Sequence, residues 1–133
     1  MNNKDLFYMR IAEIVSEQSK CSRAKVGAIL VKDGNVIAIG YNGTPTGFCN
    51  DCEQDDNTLP EVLHAESNAI AKCARSTSSA DKATLYTTLS PCFECCKLII
   101  QAGISRVVYK ELYRDYHRCE YLLDMCNITI ESI

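Results

Sequence analysis

Two apolar runs flanking a short polar turn constrain this chain more than any other feature. VGAILV at 26–31 and VIAIGY at 36–41 are separated by Lys32-Asp33-Gly34-Asn35. Asp-Gly between two β-rich runs is a strong hairpin signal, because both residues tolerate the positive φ that a two-residue turn demands. Both runs are almost continuously apolar instead of alternating, so helices are expected over both faces of the pair.

The rest of the chain supplies those helices. Leu6, Met9, Ile14 and Val15 recur at helical spacing, which predicts an amphipathic helix over 4–18. Asp5 in its first turn and Lys20 just past its end suit the helix dipole. HAESNAIAKCAR (64–75) reads as a helix with Ala69, Ile70 and Cys73 inward, and ATLYTTL (83–89) as a strand. Ser90 as N-cap and Pro91 at the first helical position start another helix, which runs to Ala102 with Gly103 as C-cap. RVVYKEL (106–112) is a strand, 115–126 a final helix with Leu122, Leu123 and Cys126 inward, and NITIES (127–132) a last strand. Residues 43–60, rich in Gly, Pro, Asn, Asp and Thr, form a long irregular loop of the kind that often carries function. With no repeat, linker or low-complexity segment, residues 1–133 read as one domain. The order α-β-β-α-β-α-β-α-β implies an α/β fold with a mixed five-stranded sheet, helices on both faces and right-handed crossovers.

Charge and cysteine usage narrow the function. A net charge of −3 provides no global basic field for a long nucleic acid, though it permits a local basic pocket. MNNKDLFYMR lacks an apolar leader core, and no apolar run is long enough to span a bilayer, so the cytoplasm is the expected compartment. Nine cysteines in a reducing compartment point to metal ligands plus buried free thiols, not to a disulfide framework.

Two segments carry the chemistry, His64-Ala65-Glu66 and Pro91-Cys92-Phe93-Glu94-Cys95, each at an expected helix start. Cysteines three apart in a first helical turn share a face, and free backbone N–H groups there stabilise thiolates. With His64, they make three ligands for a tetrahedral Zn²⁺ and leave the fourth position open for water, whose pKa such a metal lowers to about 7. Glu66 is close enough to take the water's proton and pass it to a ring nitrogen and then to leaving ammonia. H-x-E with P-C-x-x-C is the signature of zinc nucleobase deaminases. Cys96 is expected as a buried thiol and His117 as a surface residue.

The runs CSRAKVGAILVKDG, GYNGTPTG, HAESNAI, TLYTTLSPCFECCKLIIQAGI and RVVYKELY resemble the deoxycytidylate (dCMP) deaminase family from about residue 6 to residue 113, in the compact form of phage or viral members. The resemblance implies the three-layer α-β-α cytidine-deaminase fold and conversion of dCMP to dUMP and ammonia, which supplies dUMP for dTMP synthesis. It also implies a homohexamer, activation by dCTP and inhibition by dTTP, with Mg²⁺ on the triphosphate. By position, His64, Cys92 and Cys95 bind zinc and Glu66 shuttles the proton. Asn42, Ala65 and Tyr113 contact the substrate, and Gly40, Tyr41, Asn42 and Gly43 help form the effector site.

Residue chemistry adds detail. Gly43 permits close approach of a ligand to the backbone, and Asn42 offers a donor and an acceptor to a sugar hydroxyl or serves as a turn residue. Ser22, Arg23 and Lys25 suit a phosphate or form a solvated loop. Arg75, at the end of the active-site helix, is placed at a subunit interface or effector site. Cys49-x-x-Cys52, with Cys21 and a carboxylate such as Glu61, offers a second zinc site; free thiols are the favoured reading. A deaminase of dCTP as well as dCMP, or of another free nucleoside or nucleotide, is the alternative; related cytidine, guanine and tRNA-adenosine deaminases share H-x-E and P-C-x-x-C but not the GYNG-x-P-x-G loop, and the acidic pI of about 5.3 disfavours tRNA. A non-catalytic nucleotide sensor would have no use for Glu66.

Overall fold

The computed structural model describes residues 3–133; Met1 and Asn2, part of the segment read for a leader, lie outside them. The elements are α1 (Asn3–Ser16), β1 (Gly27–Lys32), β2 (Asn35–Tyr41), β3 (Glu53–Gln54), β4 (Asn57–Thr58), α2 (Ala65–Arg75), β5 (Thr84–Leu89), α3 (Phe93–Gln101), β6 (Arg106–Glu111), α4 (Tyr116–Met125) and β7 (Thr129–Ser132). The five-stranded sheet has the order β2-β1-β5-β6-β7. β1 runs antiparallel to β2 and β5, while β5, β6 and β7 are parallel. The Asp33-Gly34 turn has φ of 51° and 77°, the two positive values its sequence promises.

The sheet is the middle layer of three. Side chains alternate along β1: Ala28 and Leu30 join the core under α2, α3 and α4, while Ile29 and Val31 join a second core under α1. Two glycines set the spacing of these layers. A Cβ on Gly27 would strike the backbone of Ala12 and Ser16, and one on Gly40 the backbone of Ala65 and Ala69. Each helix therefore lies directly on its strand.

Several local expectations are corrected. The inward face of α1 carries Asp5, Tyr8, Met9, Ala12 and Val15, and leaves Leu6 and Ile14 exposed. Asp5 is not simply a dipole partner. Its carboxylate accepts both Nη atoms of Arg106, at 2.9 and 2.8 Å, and the Tyr86 hydroxyl at 2.6 Å, which fixes the helix rotation. β1 is covered on both faces, but β2 is an edge strand with Val36 and Ile39 exposed, because α1 packs mainly over β1 and β5. Ser90 is not a helix cap. Its N–H donates to the Glu111 carbonyl and its Oγ accepts the Tyr113 N–H, so it stays tied to the end of β6 and Cys92 becomes the N-cap of α3. On α4, Cys119 takes the inward place beside Leu123, and Cys126 is exposed. The 43–60 loop contains the small β3–β4 hairpin. It is fastened by a Cys21–Cys52 disulfide, against the expectation of free thiols, while Cys49 remains a free exposed thiol.

Candidate active site

Two helix N-termini converge on one point. His64 is the N-cap of α2 and Cys92 the N-cap of α3, both with extended backbone and neither capped by a side-chain hydrogen bond. Their side chains are thus free to face each other across the end of the sheet. Cys92 Sγ lies 3.3 Å and Cys95 Sγ 3.5 Å from His64 Nδ1. A tetrahedral zinc with bonds of about 2.3 Å to sulfur and about 2.0 Å to nitrogen separates such atoms by about 3.5 Å. The donor set and its spacing therefore fit Zn²⁺, and these three ligand atoms lie within 4.8 Å of one another.

Crowding three donors makes them compete for protons. The Cys92 thiol is pulled down to about 4, first by its hydrogen bond from Cys95 and then by the one from His64. Cys95 is pushed up by its hydrogen bond to Cys92 and by burial. His64 is raised, foremost by its hydrogen bond to Cys92. Glu66 is only 4% exposed, and burial raises its pKa. Its Oε1 is 3.1 Å from Thr87 Oγ1, which also donates to the Leu89 carbonyl at 2.8 Å.

His64, Glu66 and Cys92 line a cavity of about 380 Å³. Of the residues expected to touch substrate, Asn42, Ala65, Tyr113 and Arg23 line it. Ser22 and Lys25 do not. The Ser22 N–H and hydroxyl are taken by Glu53, at 3.2 and 3.0 Å, and the Lys25 amine by the Ser19 carbonyl at 3.0 Å. Asn42 is a brace for the wall: its Oδ1 accepts the Val26 N–H and its Nδ2 donates to the Ala24 carbonyl, both at 2.8 Å. One donor hydrogen and one lone pair remain for a ligand.

The residues assigned to an effector differ in their surroundings. Gly40 is buried under α2, so it acts in packing. Tyr41 lies beneath the Lys72 amine, 5.1 Å from the ring centroid. Gly43 bridges Leu63, and open space lies where its Cβ would be. Arg75 is exposed at the end of α2. Cys96 is buried and His117 exposed, as expected. The second cysteine cluster contains Glu53, not Glu61, and its two sulfurs are bonded to each other. Thr87 and Arg114 escaped the reading of the sequence. Thr87 carries a weak signal, a polar side chain among buried strand residues; Arg114 carries only its place beside Tyr113.

A family model for the cytidine and deoxycytidylate deaminase zinc-binding region matches residues 2–111. The chain belongs to this family. Among the family's proteins, ComE operon protein 2 of Bacillus subtilis (strain 168) is 37% identical over 131 residues, 96% of this chain and 69% of that protein. The deoxycytidylate deaminase of Enterobacteria phage T4 is 34% identical over 147 residues, 79% of this chain and 76% of that enzyme. The crystal structure of dCMP deaminase from the cyanophage S-TIM5, in complex with dCMP and dUMP, superposes with a TM-score of 0.94. That match is 44% identical and covers 100% of this chain and 99% of the phage chain. The deaminase architecture is thus present from α1 to β7.

Proposed function

We propose that this deaminase-family chain hydrolyses dCMP to dUMP and ammonia. The observation that carries the reading is the buried Glu66 beside the His64–Cys92–Cys95 triangle, on the floor of a cavity large enough for a nucleotide. His64, Cys92 and Cys95 hold the zinc. When bound, zinc supplies a Lewis acid that makes water nucleophilic near neutral pH.

The protein's own groups do the rest. The cavity walls place C4 of the cytosine ring over the floor and exclude bulk water. Glu66 accepts a proton from the attacking water and delivers it to N3. As the C4–N4 bond breaks, Glu66 carries a second proton from the new C4 hydroxyl to the departing amine, so water and dCMP give dUMP and ammonia in balance. Thr87 holds the carboxyl in place through both transfers, because its hydroxyl can donate or accept. Tyr113 and Asn42 flank the sugar.

The finer parts of the reading are activation by dCTP and inhibition by dTTP, each with Mg²⁺, assembly as a homohexamer, and action in the cytoplasm on free nucleotides. Among the described residues, no helix is long and apolar enough to cross a membrane. The deciding experiment is ammonia release by the zinc-loaded protein on dCMP, with and without each triphosphate. Turnover that rises with dCTP and falls with dTTP supports substrate and regulation together. Activity on dCTP or deoxycytidine but not on dCMP overturns the substrate.

A further inference from the structure

We infer that Cys119 is a positioning residue of the metal centre: its thiol holds the Pro91 carbonyl and thereby sets the direction in which Cys92 offers its sulfur. The inference rests on the reading of His64, Cys92 and Cys95 as the zinc ligands.

Cys92 needs such a hold. It is the N-cap of α3, with φ −76°, ψ 171° and no side-chain cap hydrogen bond. Its carbonyl accepts the Cys96 N–H at 3.0 Å, but its own N–H and side chain stand outside the helix. The peptide plane it shares with Pro91 orients its Cα–Cβ bond, and that plane is rigid. A tilt of the Pro91 carbonyl therefore swings the Cys92 sulfur. Pro91 cannot be held through its own nitrogen, because proline has no N–H. Its carbonyl is the remaining handle.

Helix α4 takes that handle. The Cys119 thiol donates to the Pro91 carbonyl oxygen, with Sγ at 3.0 Å. Both residues are buried, and among the described residues no backbone N–H reaches this oxygen. A buried carbonyl without a partner is costly, so the thiol answers a real need. The neighbours of Pro91 in the chain are held as well. Ser90 donates its N–H to the Glu111 carbonyl at 2.8 Å and accepts the Tyr113 N–H at 2.6 Å. The Arg118 guanidinium lies 3.9 Å from the ring centroid of Phe93. Cys119 supplies the hold between these two.

A thiol suits the place. Cys119 belongs to the same core cluster as Cys96, Ile99 and Leu123, where a thiol acts as a small apolar group yet retains one donor. Cys119 is not itself one of the clustered ligands, which are His64, Cys92 and Cys95.

Two matched pairs of variants test the role: Cys119→Ala with Cys119→Ser, and Cys119→Val with Cys119→Thr. Size is nearly equal within each pair, and only serine and threonine keep a donor for Pro91. Zinc dissociation constants are measured anaerobically by competition with a chelating indicator. Melting curves are recorded on the zinc-free proteins, and cobalt-substituted proteins are compared by their thiolate charge-transfer and d–d absorption bands. Loss of an outer hydrogen-bond partner predicts that the alanine and valine variants bind zinc about tenfold more weakly, with shifted cobalt bands, while the serine and threonine variants stay within about threefold of wild type. Wild-type zinc affinity and cobalt bands in Cys119→Ala and Cys119→Val overturn the inference. An equal loss within a pair also overturns it, since packing then explains the effect, and so does failure of all four variants to fold. If one pair does not fold, the other carries the comparison. Wild type that binds no zinc refutes the metal site and the inference with it, whereas a zinc-binding wild type with indifferent variants refutes the role of Cys119 alone.

Discussion

Glu66 separates a catalyst from a binding protein with the same ligands. Its carboxyl is buried and held by Thr87, yet it is not one of the three clustered ligand atoms. Glu66→Ala is therefore expected to keep one zinc per chain and the wild-type melting temperature, while turnover falls by about 10²- to 10⁴-fold or more. Near-wild-type ammonia release would remove the carboxyl from the mechanism. The proposed zinc ligands are expected to behave in the opposite way. Cys92 and Cys95 are thiols whose protons a metal displaces, so a chelator at neutral pH should strip activity and zinc together, and added Zn²⁺ should restore both. Activity that persists at zero zinc by elemental analysis contradicts the assignment. These residues were legible because H-x-E and P-C-x-x-C are local patterns whose spacing reflects the helix turn. Thr87 was not, because its place beside Glu66 depends on which strand the sheet brings under α2.

At the level of elements, the order of helices and strands was readable from period and turn chemistry, and the errors fall where a tertiary contact overrides a local rule. Ser90-Pro91 has the composition of a helix start, but Ser90 is bonded to Glu111 and Tyr113 across the sheet end. Leu6 and Ile14 look like an inward stripe, but Asp5 with Arg106 and Tyr86 turns α1 away from them. Gly40, expected at an effector site, also has a packing role, because a Cβ there would strike the backbone of Ala65 and Ala69. Gly40→Ala should thus cost about 1–3 kcal/mol of stability through overpacking. Unaltered urea unfolding combined with a loss of dCTP response would favour the effector role over packing. The Cys21–Cys52 link could not be read from spacing, since it joins a segment before β1 to a loop 31 residues later. Cys21 lines the cavity with Asn42, Arg23 and Glu53, and Cys52 directly precedes Glu53. Closing a loop of that length stabilises by roughly 3–4 kcal/mol in the chain-entropy picture. Cys52→Ser is expected to lower the melting temperature and raise KM for dCMP, and reduction of the wild type should have the same effect. A reductant that lowers the melting temperature of Cys52→Ser as much as that of wild type would mean that another bond is responsible.

For the whole molecule, the question is what covers the outside of a thin three-layer domain. α1 alone shields one face of the sheet, and its own outer side presents Leu6, Phe7 and Ile14, each more than half exposed. β2 is an unpaired edge with Val36 and Ile39 exposed, and α4 exposes Tyr121 and Met125. Single exposed apolar residues are ordinary, but apolar side chains gathered on one helix face, together with an open strand edge, mark association surfaces. The proposed hexamer would use such surfaces, and a triphosphate effector would act through it by binding one state of the assembly better than another. Multi-angle light scattering of the zinc-loaded protein should give a mass near six times 14.8 kDa, about 89 kDa. Ile14→Glu, which places a charge on the outer side of α1 and touches no cavity residue, should shift that mass downward if α1 is buried between copies. It should also flatten any dCTP response before it affects zinc content. A wild-type mass of 14.8 kDa at working concentration excludes the hexamer. A hexamer unaffected by Ile14→Glu moves the interface to β2 or α4, where Ile39→Glu and Met125→Glu are the corresponding substitutions.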